Sequence, residues 1–338
     1  MKITLLLSLF LLTFHTKGQN NDISSYDFYN IDKHALHCPQ DKVHSIDAIA
    51  DYLNSICSND LERARAAFVW ITNNIRYDDK AINNNKLKNS SLKQILRRKK
   101  GVCEDYASLY VALGERMGLK IMKVHGYAKG YGYRNRTRFR NSNHAWNLIK
   151  INGSWEIFDA TWGGSAAHKK KNGKLESVKV FDPYWFAIPS YKSIFTHLPE
   201  NPDYSMVSPV VSLRDFEKMP ILNKAFFKLG YNARETYHKL YPNTNVIYPQ
   251  YYEIEDIQVI TAPQQKYLHL HKTYALQFTS NNALRMFTGN YRKHFNEFKK
   301  EGNTFTLEFT PKMRGKLTIY CETTSGILEP IIEYFVKD

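Results

Sequence analysis

The dipeptide Asn152-Gly153 stands between two runs of alternating apolar and polar residues, 144–151 and 154–162. Asn-Gly suits a two-residue turn in which both central residues take positive φ, so the stretch predicts a β-hairpin. With Asn152 and Gly153 as the loop, Ile151 opposes Ser154, Trp146 opposes Asp159 and His144 opposes Thr161. Side chains alternate across a strand, so His144, Trp146 and Asp159 share one face. Asp159 is then the diagonal neighbour of His144, at about 7–8 Å between backbones, which an imidazole and a carboxylate can bridge. A slip of one residue would separate them, so the pairing depends on the turn type.

A second constraint lies upstream, in Gly101-Val102-Cys103-Glu104-Asp105-Tyr106-Ala107. Beyond Cys103 the apolar residues Tyr106, Leu109, Tyr110, Leu113 and Met117 recur at helical spacing, and Gly118 suits a left-handed cap. Cys103 is therefore expected at a helix start, where unpaired N–H groups and the helix dipole favour a thiolate. By itself such a cysteine is more often a small buried apolar residue than a nucleophile. Beside a histidine and a carboxylate it becomes a nucleophile with a base and an orienting acid.

The chain has 338 residues, 43% of them hydrophobic, enough for one large or two ordinary domains. Met1-Lys2, an apolar run from Ile3 to Phe14 and the small residues of Thr16-Lys17-Gly18 have the pattern of a secretory signal peptide, too short to span a bilayer. The expectation is a secreted or periplasmic protein with no transmembrane segment. Of Cys38, Cys57, Cys103 and Cys321, a free Cys103 leaves Cys38 with Cys57 as the favoured bridge. The net charge of +15 is clustered in Arg97-Arg98-Lys99-Lys100, in Arg134, Arg136, Arg138 and Arg140, and in Lys169-Lys170-Lys171. These are solvated loops or a basic rim attracting an acidic protein or an anionic envelope surface. No nucleic-acid motif accompanies them, and the sequence does not specify an oligomeric state.

Ser45 and Asn59 or Asp60 suit the starts of helices over 46–53 and 60–74, and a short helix is expected over 92–96. A strand over 121–127 precedes a Gly- and Arg-rich loop or exposed hairpin over 130–143. His34, His37, Cys38 and His44 match no zinc spacing, and no glycine loop for phosphate occurs, so no cofactor or metal is expected. After a short helix and a Pro- and Asn-rich connection over 224–249, strands are expected over 266–278, 304–309 and 316–321. His269 and His271 would share an outer strand face. These strands suggest a β-sandwich, with an immunoglobulin-like arrangement as one form.

Gly101 to Ala107, His144-Ala145-Trp146-Asn147 and Asp159-Ala160-Thr161-Trp162-Gly163 together resemble the transglutaminase-like superfamily, most of all its kyphoscoliosis-peptidase type. Ala66 to Tyr77 and the segments around Phe181-Asp182-Pro183, His197-Leu198-Pro199-Glu200 and Ser212 to Phe216 extend the likeness over about residues 26–222. The resemblance implies an α+β, papain-like core, with the nucleophile helix packed on an antiparallel sheet. It also implies Cys103, His144 and Asp159 as the triad of a calcium-independent thiol acyltransfer enzyme. The expected organisation is a signal peptide over 1–18, a catalytic domain with C-terminal extension over 19–245 and a β-sandwich over 250–338. The Cys103 backbone N–H is one expected oxyanion donor, with Gln94 a candidate for the other. Trp146, Trp162 and Trp185 are expected to wall the cleft. The function expected is cleavage or exchange of amide bonds in proteins or peptides, as a peptidase or deamidase or as a transglutaminase. The alternative is a catalytically silent protein that binds a protein or envelope partner.

Overall fold

The computed structural model describes residues 23, 26–86, 90–134, 137–242, 246–290, 293–324 and 326–338. The leader-like segment, residues 1–18, lies outside the described residues.

The first helix, α1 (Tyr29–Leu36), is not among those expected from the sequence. It buries just Ile31 and Ala35, and a paired contact of Arg65 with both Asp32 oxygens, each at 2.7 Å, ties it down. The helices α2 (Ile46–Asn54) and α3 (Asp60–Asn74) start where predicted, because Ser45 Oγ accepts from Ala48 N and Asn59 Oδ1 accepts from Glu62 N. Next come β1 (Arg76–Tyr77), α4 (Asp79–Asn83), α5 (Leu92–Arg98) and β2 (Lys100–Gly101), with β2 parallel to β1. This short pairing leads the chain into α6 (Cys103–Arg116), which buries Tyr106, Leu109, Tyr110 and Leu113. Gly118, at φ +84°, lies just beyond its end.

Four further strands form a sheet of their own. They are β3 (Ile121–Ala128), β4 (His144–Ile151), β5 (Ser154–Phe158) and, after α7 (Ala160–Gly164), the hairpin β6 (Ser165–Lys169) with β7 (Leu175–Lys179) and the helix α8 (Ser190–Ser193), the short β8 (His197–Pro199). Their order is β5-β4-β3-β8, antiparallel throughout. Asn152 and Gly153 have φ of 50° and 89°, and Ile151 opposes Ser154 with Asn147 opposing Phe158, the register predicted from the turn. The pairing stops there: the expected pairs Trp146–Asp159 and His144–Thr161 are not part of the ladder, because the chain leaves the strand at Asp159, which caps α7, and Thr161 lies in that helix. The two sheet faces differ accordingly. Ile149 and Ile151 pack with Phe158 into the core of α1, α2, α3 and α6, whereas Trp146 and Leu148 pack with Val124, Ile157 and Ile188 on the other side. Between β3 and β4 the Arg-rich segment is an irregular loop. Phe139 anchors it, stacked on Tyr133 and Phe216, and its N–H donates to Glu217 Oε1 at 2.7 Å. Arg136 lies outside the described residues.

After α9 (Leu213–Lys218), α10 (Lys224–Lys228) and α11 (Ala233–Leu240) the chain turns to strands. One sheet pairs Gln258–Thr261, Tyr274–Thr279, Thr304–Phe309 and Lys299–Glu301 in that order. A second orders Tyr267–His269, Leu328–Lys337, Gly315–Thr323, Ala283–Asn290 and Lys293–Glu297. Leu276, Phe278 and Phe305 of the first and Met286, Ile319 and Ile332 of the second belong to one core, which also takes in Phe195, Phe216, Phe226 and Leu240. The strand expected over 266–278 is broken into two. His271 lies in the intervening turn at φ 60° and His269 in the first strand, its Nδ1 on the Asp338 carbonyl, so the two do not share a strand face.

All four cysteines are free thiols. No bridge joins Cys38 and Cys57: Cys38 is buried in the helical core, and the Cys57 thiol donates to the Leu53 carbonyl at 3.2 Å. No helix among the described residues is long and apolar enough to cross a membrane.

Candidate active site

Cys103 is the first residue of α6 and is half-buried. The residues around it explain the turn that delivers it. Val102 caps the helix without a side-chain acceptor, and Asp105 reaches back so that its Oδ2 accepts from Val102 N at 3.0 Å and its Oδ1 from Ser90 N at 3.3 Å. Asp105 then fills the space above Gly101, where a β-carbon would lie 2.5 Å from Asp105 Cβ. Glycine at 101 and aspartate at 105 are thus one device for starting the helix at Cys103. Gln94, the candidate second oxyanion donor, is exposed and folded back onto Ser91, whose N–H it accepts at 3.0 Å to cap α5.

His144 opens β4 opposite Gly126 of β3 and is buried. Its Nε2 donates to Asp159 Oδ2 at 2.7 Å, which leaves Nδ1 as the nitrogen available to Cys103. Burial works to lower the His144 pKa. The Asp159 charge and hydrogen bond, together with the adjoining Cys103 side chain, outweigh it and push the group up to about 10. Asp159 is fully buried and caps the short α7, its Oδ1 accepting from Thr161 N at 2.9 Å and Trp162 N at 3.0 Å. Burial would raise its pKa, but the charge on His144 and its hydrogen bonds to His144 and His197 hold it well below the usual carboxylate range. The structure therefore brings together the three residues that the sequence nominated.

Around them stand the three tryptophans expected in the cleft wall. Trp146 stacks beside His144 at 6.0 Å between ring centroids, and Trp162 lies 5.6 Å from it on another side. Trp185 meets Trp162 edge-on at 4.6 Å. Gly130 admits this packing, since a β-carbon there would fall 2.8 Å from Trp162, and Gly163 lets α7 close on Phe68, which would lie 2.3 Å from its β-carbon. Tyr77, whose backbone pairs with Gly101, also borders the site. Burial first, then the charges of Cys103 and Asp159, keep its phenol protonated well above the ordinary range.

The sequence pattern of the Transglutaminase-like superfamily matches residues 47–160, a span that contains Cys103, His144 and Asp159. The chain carries a transglutaminase-like superfamily domain. It is similar to the kyphoscoliosis peptidase of Homo sapiens, 26% identical over 322 residues, covering 93% of this chain and 44% of that protein. It is also similar to hillarin of Drosophila melanogaster, 26% identical over 217 residues, covering 60% of this chain and 26% of that protein. The chain thus spans less than half the length of these curated relatives. Among solved structures, a crystal structure of a TGase overlays with a TM-score of 0.28 at 18% identity, covering 44% of this chain and 35% of that one.

Within the transglutaminase-like site, one buried group was not singled out as a site residue from sequence. His197 begins β8, and its Nε2 donates to the same Asp159 Oδ2 at 3.1 Å. Its Nδ1 lies 2.9 Å from Thr196 Oγ1. The only sequence signal was the short segment His197-Leu198-Pro199-Glu200, which carries no local pattern aimed at the hairpin. His144, Asp159 and His197 offer ligand atoms within 4.8 Å of one another, a set that a metal ion could also use. Hydrogen bonds already engage both Asp159 oxygens and both ring nitrogens of His197.

Proposed function

We propose that the chain is a cysteine acyltransfer enzyme acting on amide bonds of proteins or peptides. The observation that carries this reading is the buried His144–Asp159 hydrogen bond of 2.7 Å, with the half-exposed Cys103 beside the same imidazole. In this mechanism the Cys103 thiol proton passes to His144 before the sulfur attacks the carbonyl carbon, and the imidazolium stays beside it. The tetrahedral oxyanion is met by the Cys103 N–H at the start of α6, where no side chain caps the free donors. His144 then gives its proton to the departing amine, and a thioester remains on Cys103. An acceptor releases it as His144 takes the acceptor's proton: water gives hydrolysis, a lysine amine gives transfer. Asp159 holds the imidazole ring and its positive charge throughout.

In this reading, substrates with acidic surfaces suit the basic segments, of which Lys100 runs directly into the Cys103 turn. The two C-terminal sheets would serve as an immunoglobulin-like presenting module, and the leader-like residues 1–18 would direct export. The experiment is mass spectrometry of a peptide and protein pool incubated with the enzyme and a primary amine. Cleavage, a gain of one mass unit at glutamine, and amine incorporation have different masses. A pool unchanged by wild type and Cys103→Ala alike would favour a silent binding protein instead.

A further inference from the structure

Asp159 Oδ2 is the acceptor of two imidazoles, His144 Nε2 at 2.7 Å and His197 Nε2 at 3.1 Å, and the side chains of Asp159 and His197 are each only 1% exposed. A carboxylate only accepts, so each Nε2 must carry a proton. The remaining nitrogen of His197, Nδ1, meets the Thr196 hydroxyl at 2.9 Å. When His197 is neutral with its proton on Nε2, this hydroxyl donates to Nδ1 in preference to the Ser193 carbonyl 3.2 Å away and supports that tautomer. Burial, with the His144 charge adding to it, lowers the His197 pKa against the pull of Asp159. The rings of Trp146, Trp162 and Trp185 lie 5.2, 4.5 and 5.5 Å from the His197 ring and hold it in place.

We propose that His197 is a positioning residue. Supported by Thr196, it gives Asp159 Oδ2 a second imidazole hydrogen bond and so fixes the oxygen on which His144 is aligned toward Cys103. The other oxygen is fixed separately by Thr161 N and Trp162 N, so the carboxylate has no free rotation left. The inference deepens the proposed thiol mechanism and rests on that reading. Its first measurement nevertheless needs no substrate.

The test follows alkylation of Cys103 by iodoacetamide across pH in wild type, His197→Leu, His197→Gln and Thr196→Val, with melting curves for each. Leucine keeps bulk without a donor, and glutamine restores a neutral N–H near the Nε2 position. His197→Leu is expected to slow alkylation near neutral pH on the order of ten-fold, the scale of a lost hydrogen bond to a charged group. Its acid-side fall-off should begin at higher pH, because a carboxylate that loses a donor is protonated more readily. His197→Gln should recover most of the rate, and Thr196→Val should lose a few-fold in the same direction. Where a turnover substrate is in hand, the loss should fall on kcat with KM unchanged. Folded Leu and Gln variants that alkylate alike, whether both at the wild-type rate or both impaired, would overturn the proposal. So would an equimolar metal in purified wild type that is lost from His197→Leu. If His197→Leu does not fold, Gln and Thr196→Val decide: wild-type behaviour of Thr196→Val overturns it. Normal His197 dependence of alkylation without any turnover would leave this inference standing and sink only the enzymatic one.

Discussion

Asn147 Nδ2 donates to the Ala107 carbonyl at 3.1 Å, tying the strand that carries His144 to the helix that carries Cys103. The same nitrogen lies 3.4 Å from the Met122 carbonyl, and Asn147 is 1% exposed. Asn147→Leu removes both bonds while roughly keeping volume. We expect a stability loss of about 1–3 kcal/mol from the buried carbonyls left with one partner fewer. Cys103 alkylation should slow as well, because helix and strand lose their common reference. Urea denaturation and labelling kinetics on the same variant check both effects.

Gly126 lies opposite His144 on one side and Pro199 on the other. A β-carbon there would fall 2.3 Å from the Leu198 carbonyl oxygen and 2.4 Å from Trp146 Cη2. The first of these is backbone and cannot swing aside, so Gly126→Ala must part β3 from β8. A destabilisation of about 1–3 kcal/mol is expected, as for overpacking in a close-packed interior. Activity should drop beyond what the unfolded fraction explains, since β8 carries His197. Denaturation midpoints beside kcat/KM separate the two effects.

Thiol labelling should be selective. Burial pushes Cys57 and Cys321 up to about 11 and raises Cys38, and Cys38 and Cys321 are also buried from reagent. Cys103 is half-exposed beside His144. One equivalent of iodoacetamide at about pH 7 is therefore expected on Cys103, with the rate collapsing in His144→Ala. Peptide mapping that finds Cys57 or Cys321 labelled as fast would sink this.

The His144–Asp159 pair sets a pH window. The His144 pKa is raised from its ordinary 6.5 to about 10, so its stabilising contribution is complete below 6.5 and is lost as pH rises through about 10. The Asp159 pKa is depressed below its ordinary 3.8, so its contribution is present above that value and is lost as pH falls through the lower folded-state value. Wild type minus His144→Gln should show its largest stability difference between about pH 4 and 6.5, shrinking toward pH 10. Denaturation midpoints of both proteins at matched pH values measure it. A difference that grew above pH 7 would show that the proton is not held by this pair.

What could be read along the chain was whatever local chemistry encodes. Asn152-Gly153 determined a turn, the turn determined a register, and the register put His144 and Asp159 within reach. Ser45 and Asn59 marked helix starts, and Gly101 to Asp105 contained its own reason for starting a helix at Cys103. Helix α1 was hidden because only two of its residues, Ile31 and Ala35, are buried, too few to set a pattern, and an ion pair to Arg65, 33 residues away, secures it. His197 was hidden for the same kind of reason. It reaches Asp159, 38 residues earlier, only because β8 pairs with β3 across the sheet, and three residues of strand leave no pattern to say so. The sequence by itself determined the turns, caps and hairpin, whose energies lie within a few residues. Tertiary packing alone decided that both oxygens of Asp159 would be filled, that Asn147 would join helix to strand, and that the two C-terminal sheets would share one core with Phe195 and Phe226.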